Sequence, residues 1–142
     1  MIDYMNYRRI DNMKNLLLII VLLLSTQAFS QQWITDSNFE DKIYKNEQCI
    51  DCIVVVEFWV EFNKDNAFKE WEQLKGVKYF RVDISAAPAA KKEYRVRMAP
   101  TLIIFKDGIK EEMFKASLDL LCPTDLGELQ ESIEEIKNSS KF

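Results

Sequence analysis

The segment Ile53-Val54-Val55-Val56-Glu57-Phe58-Trp59 constrains this chain more than any other. It is a nearly continuous apolar run, rich in valine and of strand length. Such a run reads as a β-strand covered on both faces. A strand covered twice needs a sheet with helices packed on each side. One ionisable residue, Glu57, lies inside the run, and a carboxylate there is costly unless it is paired.

The remaining pattern supplies the layers. Trp33-Ile34 reads as a short edge strand. Ser37-Asn38-Phe39-Glu40 has the form of a capping box, and Phe39, Ile43 and Tyr44 follow at helical spacing. Residues 67–74 read as a helix with Ala67, Trp71 and Leu74 facing inward and Gly76 ending it. Residues 77–84 form the next strand, and Pro88 suits the first turn of a helix running to Tyr94. Residues 101–105 and 109–114 flank Lys106-Asp107-Gly108, a glycine-containing hairpin turn. Asp125-Leu126-Gly127-Glu128 caps a last helix whose inner face is Leu126, Leu129, Ile133 and Ile136. The order β-α-β-α-β-α-β-β-α gives an α/β fold, a mixed central β-sheet flanked by helices on both faces.

Composition removes several functions. With 142 residues the chain supports one domain with a real core. Its 19 basic and 23 acidic residues give a net charge of -4 with the basic residues scattered, so nucleic acid is not an expected partner. There is no histidine, which excludes histidine-based nucleophile systems and histidine-containing zinc sites. Three cysteines cannot build a four-thiolate metal site, and neither metal nor cofactor is expected.

The first 30 residues read as an address label. Lys14-Asn15 precedes nine aliphatic residues, 16–24, followed by Ser25-Thr26-Gln27-Ala28-Phe29-Ser30. This is a signal peptide pattern with cleavage expected after Ser30. The apolar stretch 16–29 is short of the roughly 20 residues that span a bilayer, so a membrane is a partner only if the segment stays uncleaved. Met13-Lys14 is a natural signal start, which makes translation from Met13 an alternative to Met1. Cleavage removes Arg8, Arg9 and Lys14 with Asp3 and Asp11, leaving 16 basic against 21 acidic residues, net -5. The expected mature domain is 31–142, exported to the periplasm or secreted, where disulfides persist.

Several spacings agree with one family. They are the Phe58-Trp59 strand end, Val82-Asp83-Ile84 with Pro88 downstream, Tyr94 six residues before Pro100, and Pro100-Thr101 opening a strand that ends in Lys106-Asp107-Gly108. Over about Asp36 to Ile136 the chain resembles the thioredoxin family, and the resemblance implies the thioredoxin-like fold. It also implies a cis Ala99–Pro100 bond facing the redox site. Asn63 and Asn66 stand where the family carries its two cysteines, and an amide can neither form a disulfide nor act as a thiolate. The resemblance places Glu57 at the family's buried acid and Arg81 at its basic partner, so a buried Glu57–Arg81 pair is expected.

What survives at such a site is a groove. Trp59, Ala99 and Pro100 are its expected lining, with the Ala99 backbone open to pair with an extended peptide. Packing of Trp59 and Phe62 is the alternative. Asn63 to Asn66 are expected to cap the following helix. Cys49-Ile50-Asp51-Cys52 enters the central strand at the end opposite the cis-proline, with acids beside it. It reads as a structural disulfide or two plain thiols before it reads as a redox centre. Cys122 lies in the loop after the last strand, toward the cis-proline end, as a lone thiol. The expectation is a redox-inactive peptide- or protein-binding module with an unknown client. The alternative is an atypical thiol-disulfide oxidoreductase using Cys49/Cys52 or Cys122.

Overall fold

A computed structural model describes residues 12–19, 32–44 and 52–139. The chain divides into two compact units, Met1–Ser30 and Gln31–Phe142. In the first, residues 12–19 form an exposed helix. Among the described residues no helix is long and apolar enough to cross a membrane. The expected cleavage point and Cys49 lie outside the described residues.

The second unit holds a five-stranded sheet of order β1-β3-β2-β4-β5. Its strands are β1 (Gln32–Ile34), β2 (Ile53–Trp59), β3 (Lys78–Asp83), β4 (Thr101–Lys106) and β5 (Ile109–Lys115). β1 and β2 run parallel to β3, while β4 is antiparallel to β2 and β5 to β4. Every residue of β2 is buried, as its apolar run demands. The helices are α1 (Phe39–Tyr44), α2 (Pro88–Glu93) and α3 (Leu126–Asn138).

Alternation along the strands divides the core in two. Val54, Val56 and Phe58 of β2 join Phe80, Val82, Ile103 and Phe105 under Phe39, Ile43 and Ala90 of α1 and α2. Ile53 and Val55 face the other way, with Leu102 and Ile104, under Leu129 and Ile133 of α3. Fully burying one such aliphatic side chain contributes roughly 1.5–3 kcal/mol. Lys106 also lies on this second face, and its buried ammonium donates to the Ile136 and Ser139 carbonyls at 2.9 and 3.2 Å. A cation thereby satisfies the last carbonyls of α3 and ties that helix to the sheet.

Two sequence expectations need correction. Residues 67–74 are not a helix; the segment consists of two 3-10 turns, Glu61–Asn66 and Trp71–Gln73, with extended backbone at Ala67. The Phe68 backbone is bonded from both sides instead: its N–H donates to the Glu57 carboxylate at 2.7 Å, and its carbonyl, which a helix would offer to residue 72, accepts from Arg81 at 3.2 Å. Short polar side chains at Asn63, Asp65 and Asn66 also favour local bonding over a regular helix. The second correction concerns α1, where Asn38, not Ser37, orders the entry by accepting from the Thr35 N–H at 2.8 Å.

The β4–β5 turn has positive φ at both central residues, 51° for Asp107 and 78° for Gly108. That is the backbone twist a two-residue hairpin prefers. The Tyr44 ring covers Gly108 where a side chain would project. Gly108→Ala should therefore destabilise the domain by about 1–2 kcal/mol, measured by urea unfolding. Adding Tyr44→Ala should recover the part due to the ring and leave the backbone part.

Candidate functional site

The cis-proline end of the sheet is built on Glu57. It is fully buried and lies directly opposite Arg81 in the parallel β2–β3 register. Its Oε1 accepts from the Arg81 Nε at 2.7 Å and from the Tyr79 hydroxyl at 2.6 Å, and its Oε2 accepts from the Phe68 N–H. Arg81 also donates to the Phe68 carbonyl at 3.2 Å. One carboxylate thus holds β3 and the chain after β2 in a single network, which offsets its desolvation. Tyr79 was open to sequence reasoning: it sits two residues before Arg81 and so shares its face of the strand. Burial, then the neighbouring Glu57 charge, pushes the Tyr79 phenol well above its usual range.

Trp59 does not stand at an open groove edge. It is 9% exposed and meets the Trp33 ring edge-on at 4.9 Å, so the packing alternative holds for it. Phe62 is the exposed aromatic, at 80%. Ala99 and Pro100, the other expected lining residues, are also buried. The Ala99–Pro100 peptide bond is cis.

Asn63 explains much of that cover. Its Nδ2 donates both to the Ala99 carbonyl at 2.9 Å and to the Leu120 carbonyl at 2.8 Å. Asn66 Nδ2 in turn donates to Asn63 Oδ1 at 2.7 Å. A primary amide has two N–H donors, and here both are used. The expected roles of these residues need correction accordingly. Asn63 and Asn66 do not cap a helix, and the Ala99 carbonyl is not open to an incoming strand.

The Leu120 carbonyl belongs to a strap, residues 117–123, folded back toward the sheet. Asp119 organises it by accepting from the Ser117 hydroxyl at 2.6 Å and the Leu121 N–H at 3.1 Å. These bonds, Ser117 first, hold the exposed Asp119 carboxyl below its usual range. Leu120 has φ 57°, a left-handed conformation uncommon for a large side chain. Leu118 and Leu121 are left 89% and 54% exposed. No local sequence signal links Asn63 to Leu120, because the contact spans 57 residues.

Near the end of the strap, Cys122 is a free thiol packed against the α3 side of the core and donating to the Thr124 carbonyl at 3.3 Å. Burial pushes its pKa up, with the Glu57 and Glu70 charges adding to the effect. Cys52 lies at the far end of β2, where its carbonyl accepts from the Asp107 N–H at 3.1 Å. No group of acids and cysteines that could hold a metal ion occurs among the described residues.

The thioredoxin family profile matches residues 30–121. This chain belongs to the thioredoxin family. Thioredoxin of Rickettsia felis is 32% identical over 89 residues, covering 56% of this chain and 78% of the relative. Thioredoxin of Rickettsia prowazekii is 28% identical over 88 residues with the same coverage. Among solved structures, Malassezia sympodialis thioredoxin (Mala s 13) superposes with TM-score 0.58 at 22% identity, covering 76% of this chain and 91% of that one. Schistosoma mansoni thioredoxin gives TM-score 0.55 at 21% identity, covering 73% and 94%. At such identities the structural likeness shows the fold alone. The thioredoxin fold accounts for the sheet order and for the site's position at the C-terminal end of β2.

Two measurements probe this chemistry. Tyr79 is neutral in the fold, so its contribution is complete below pH about 10 and is lost as pH rises through the higher folded value. Urea stability should fall from about pH 10 upward, and Tyr79 phenolate absorbance should appear only at still higher pH. Tyr79→Phe should remove that component at a cost of about 1–3 kcal/mol near neutrality. For Cys122, iodoacetamide labelling at neutral pH, read by peptide mapping, should be on the order of tenfold slower in the folded protein than in guanidinium. Equal rates would contradict a buried, protonated thiol.

Proposed function

We propose that this protein is an exported, redox-inactive member of the thioredoxin family that binds a protein or peptide client. The observation that carries the reading is the Asn63 amide, bonded to Ala99 and Leu120 at the cis-proline site. In this reading Asn63 and Asn66 replace the family's cysteine pair, and neither amide can exchange a disulfide. The nearby Cys122 is a poor substitute, since burial raises its pKa and the thiolate is the reactive form. Cys52 lies at the other end of β2, away from the cis-proline site. The first-unit sequence, with Lys14 ahead of the aliphatic run, supports export.

Binding takes a different surface from the open groove expected of the family. Phe62 on the turn after β2 and Leu118 and Leu121 on the strap are large, apolar and exposed. Asn63 joins these two segments, so the three side chains form a rim around the closed site. Client contact is through this rim, with apolar side chains as anchors.

The test has two parts. In an insulin-reduction assay with dithiothreitol, the protein should give no turbidity faster than reductant alone. Turnover lost on Cys49→Ser, Cys52→Ser or Cys122→Ser would instead establish the oxidoreductase alternative. A photocrosslinking residue at Phe62 should capture a client in cells, and Leu118→Ser with Leu121→Ser should abolish the crosslink. Crosslinks unaffected by those changes would place client binding elsewhere.

A further inference from the structure

Helix α2 separates two surfaces of opposite charge. On one flank a depression is lined by Asp36, Glu40, Asp41 and Glu93. The other flank holds a shallow depression lined by Lys91, Lys92, Arg95 and Arg97, with Pro88 and Val96 and no carboxylate. Among the described residues, none of these four cationic side chains makes a hydrogen bond or ion pair; the ion pairs there join Lys64 to Glu61 and Arg81 to Glu57. Four unpaired cations within seven residues are unusual in a chain of net charge -4. Like charges so close repel one another, which favours an anionic occupant.

The helix itself explains only half of the cluster. Lys91 and Lys92 lie in the last turn of α2, where cations meet the exposed carbonyl end. Arg95 and Arg97 lie beyond the helix and are aimed by its termination. The Val96 N–H bonds back to the Lys91 carbonyl at 2.9 Å and the Arg95 N–H to that of Lys92 at 3.2 Å. This is a Schellman ending, with Arg95 at φ 53° in the position that favours glycine. The fold therefore holds a guanidinium on this flank at a conformational cost.

We propose that the Lys91–Lys92–Arg95–Arg97 surface docks an acidic segment of a partner protein. This inference is independent of the state of the redox site. A short acidic segment is favoured over a membrane or nucleic acid by the size of the basic island. Charges are screened over about 8 Å at physiological salt, so a peptide senses the island alone. An extended polyanion would also meet the acidic depression across α2 and the surrounding acidic surface. Guanidinium groups add paired donors that match carboxylate geometry.

The test uses the purified full chain and a fluorescein-labelled peptide of alternating glutamate and glycine, read by anisotropy. Saturable binding is expected, weakened by about tenfold when salt is raised from low to physiological strength or above. Arg95→Asn with Arg97→Gln, and separately Lys91→Gln with Lys92→Gln, should each weaken binding by about fivefold or more. Asn tolerates the left-handed backbone at 95, and unchanged circular dichroism and melting would show that the variants fold. Anionic phosphatidylglycerol vesicles and a DNA duplex serve as competing probes and should bind more weakly than the peptide. No saturable binding, binding unaffected by the substitutions, or tighter binding to vesicles or DNA would overturn the proposal.

Discussion

The cis-proline end of this domain depends on one buried carboxylate. Glu57 lies in the middle of the most apolar strand, and only a full set of donors makes that position tolerable. Arg81 and Tyr79 reach it from β3, and the Phe68 backbone reaches it from the segment after β2. The Phe68 carbonyl also accepts from Arg81, so this network holds the backbone on both sides of that residue. Asn63 sits in the 3-10 turn that leads from β2 toward it.

That placement decides the state of the site. An asparagine has two donors on one nitrogen, and here they span the gap between Ala99 and Leu120. A cysteine at the same position would have at most one weak donor and could not hold both carbonyls. The amide therefore closes the surface that a free Ala99 carbonyl would leave open, using the strap as cover. What remains exposed includes the Phe62, Leu118 and Leu121 side chains, together with the charged flanks of α2.

Most of the fold was legible in the sequence because its signals are local. The valine run, the Asp107-Gly108 turn, Pro88 and the Asp125 cap each act within a few residues. The helix expected at 67–74 failed for a non-local reason: apolar spacing cannot reveal that the Phe68 N–H and carbonyl are both taken by side chains of the sheet, Glu57 and Arg81. Trp59 failed similarly, since nothing in its neighbourhood announces that Trp33 on another strand will cover it.

The sequence by itself determined the sheet, its two buried faces and the presence of an acid needing a partner. These follow from side-chain type and periodicity, which act over one or two turns of chain. Only the tertiary structure decided that Asn63 bridges Ala99 and Leu120, that Trp59 is buried while Phe62 is not, and that α2 divides acidic from basic surface. Those outcomes depend on contacts between residues tens of positions apart, whose geometry is set by packing of the whole sheet and not by any local preference.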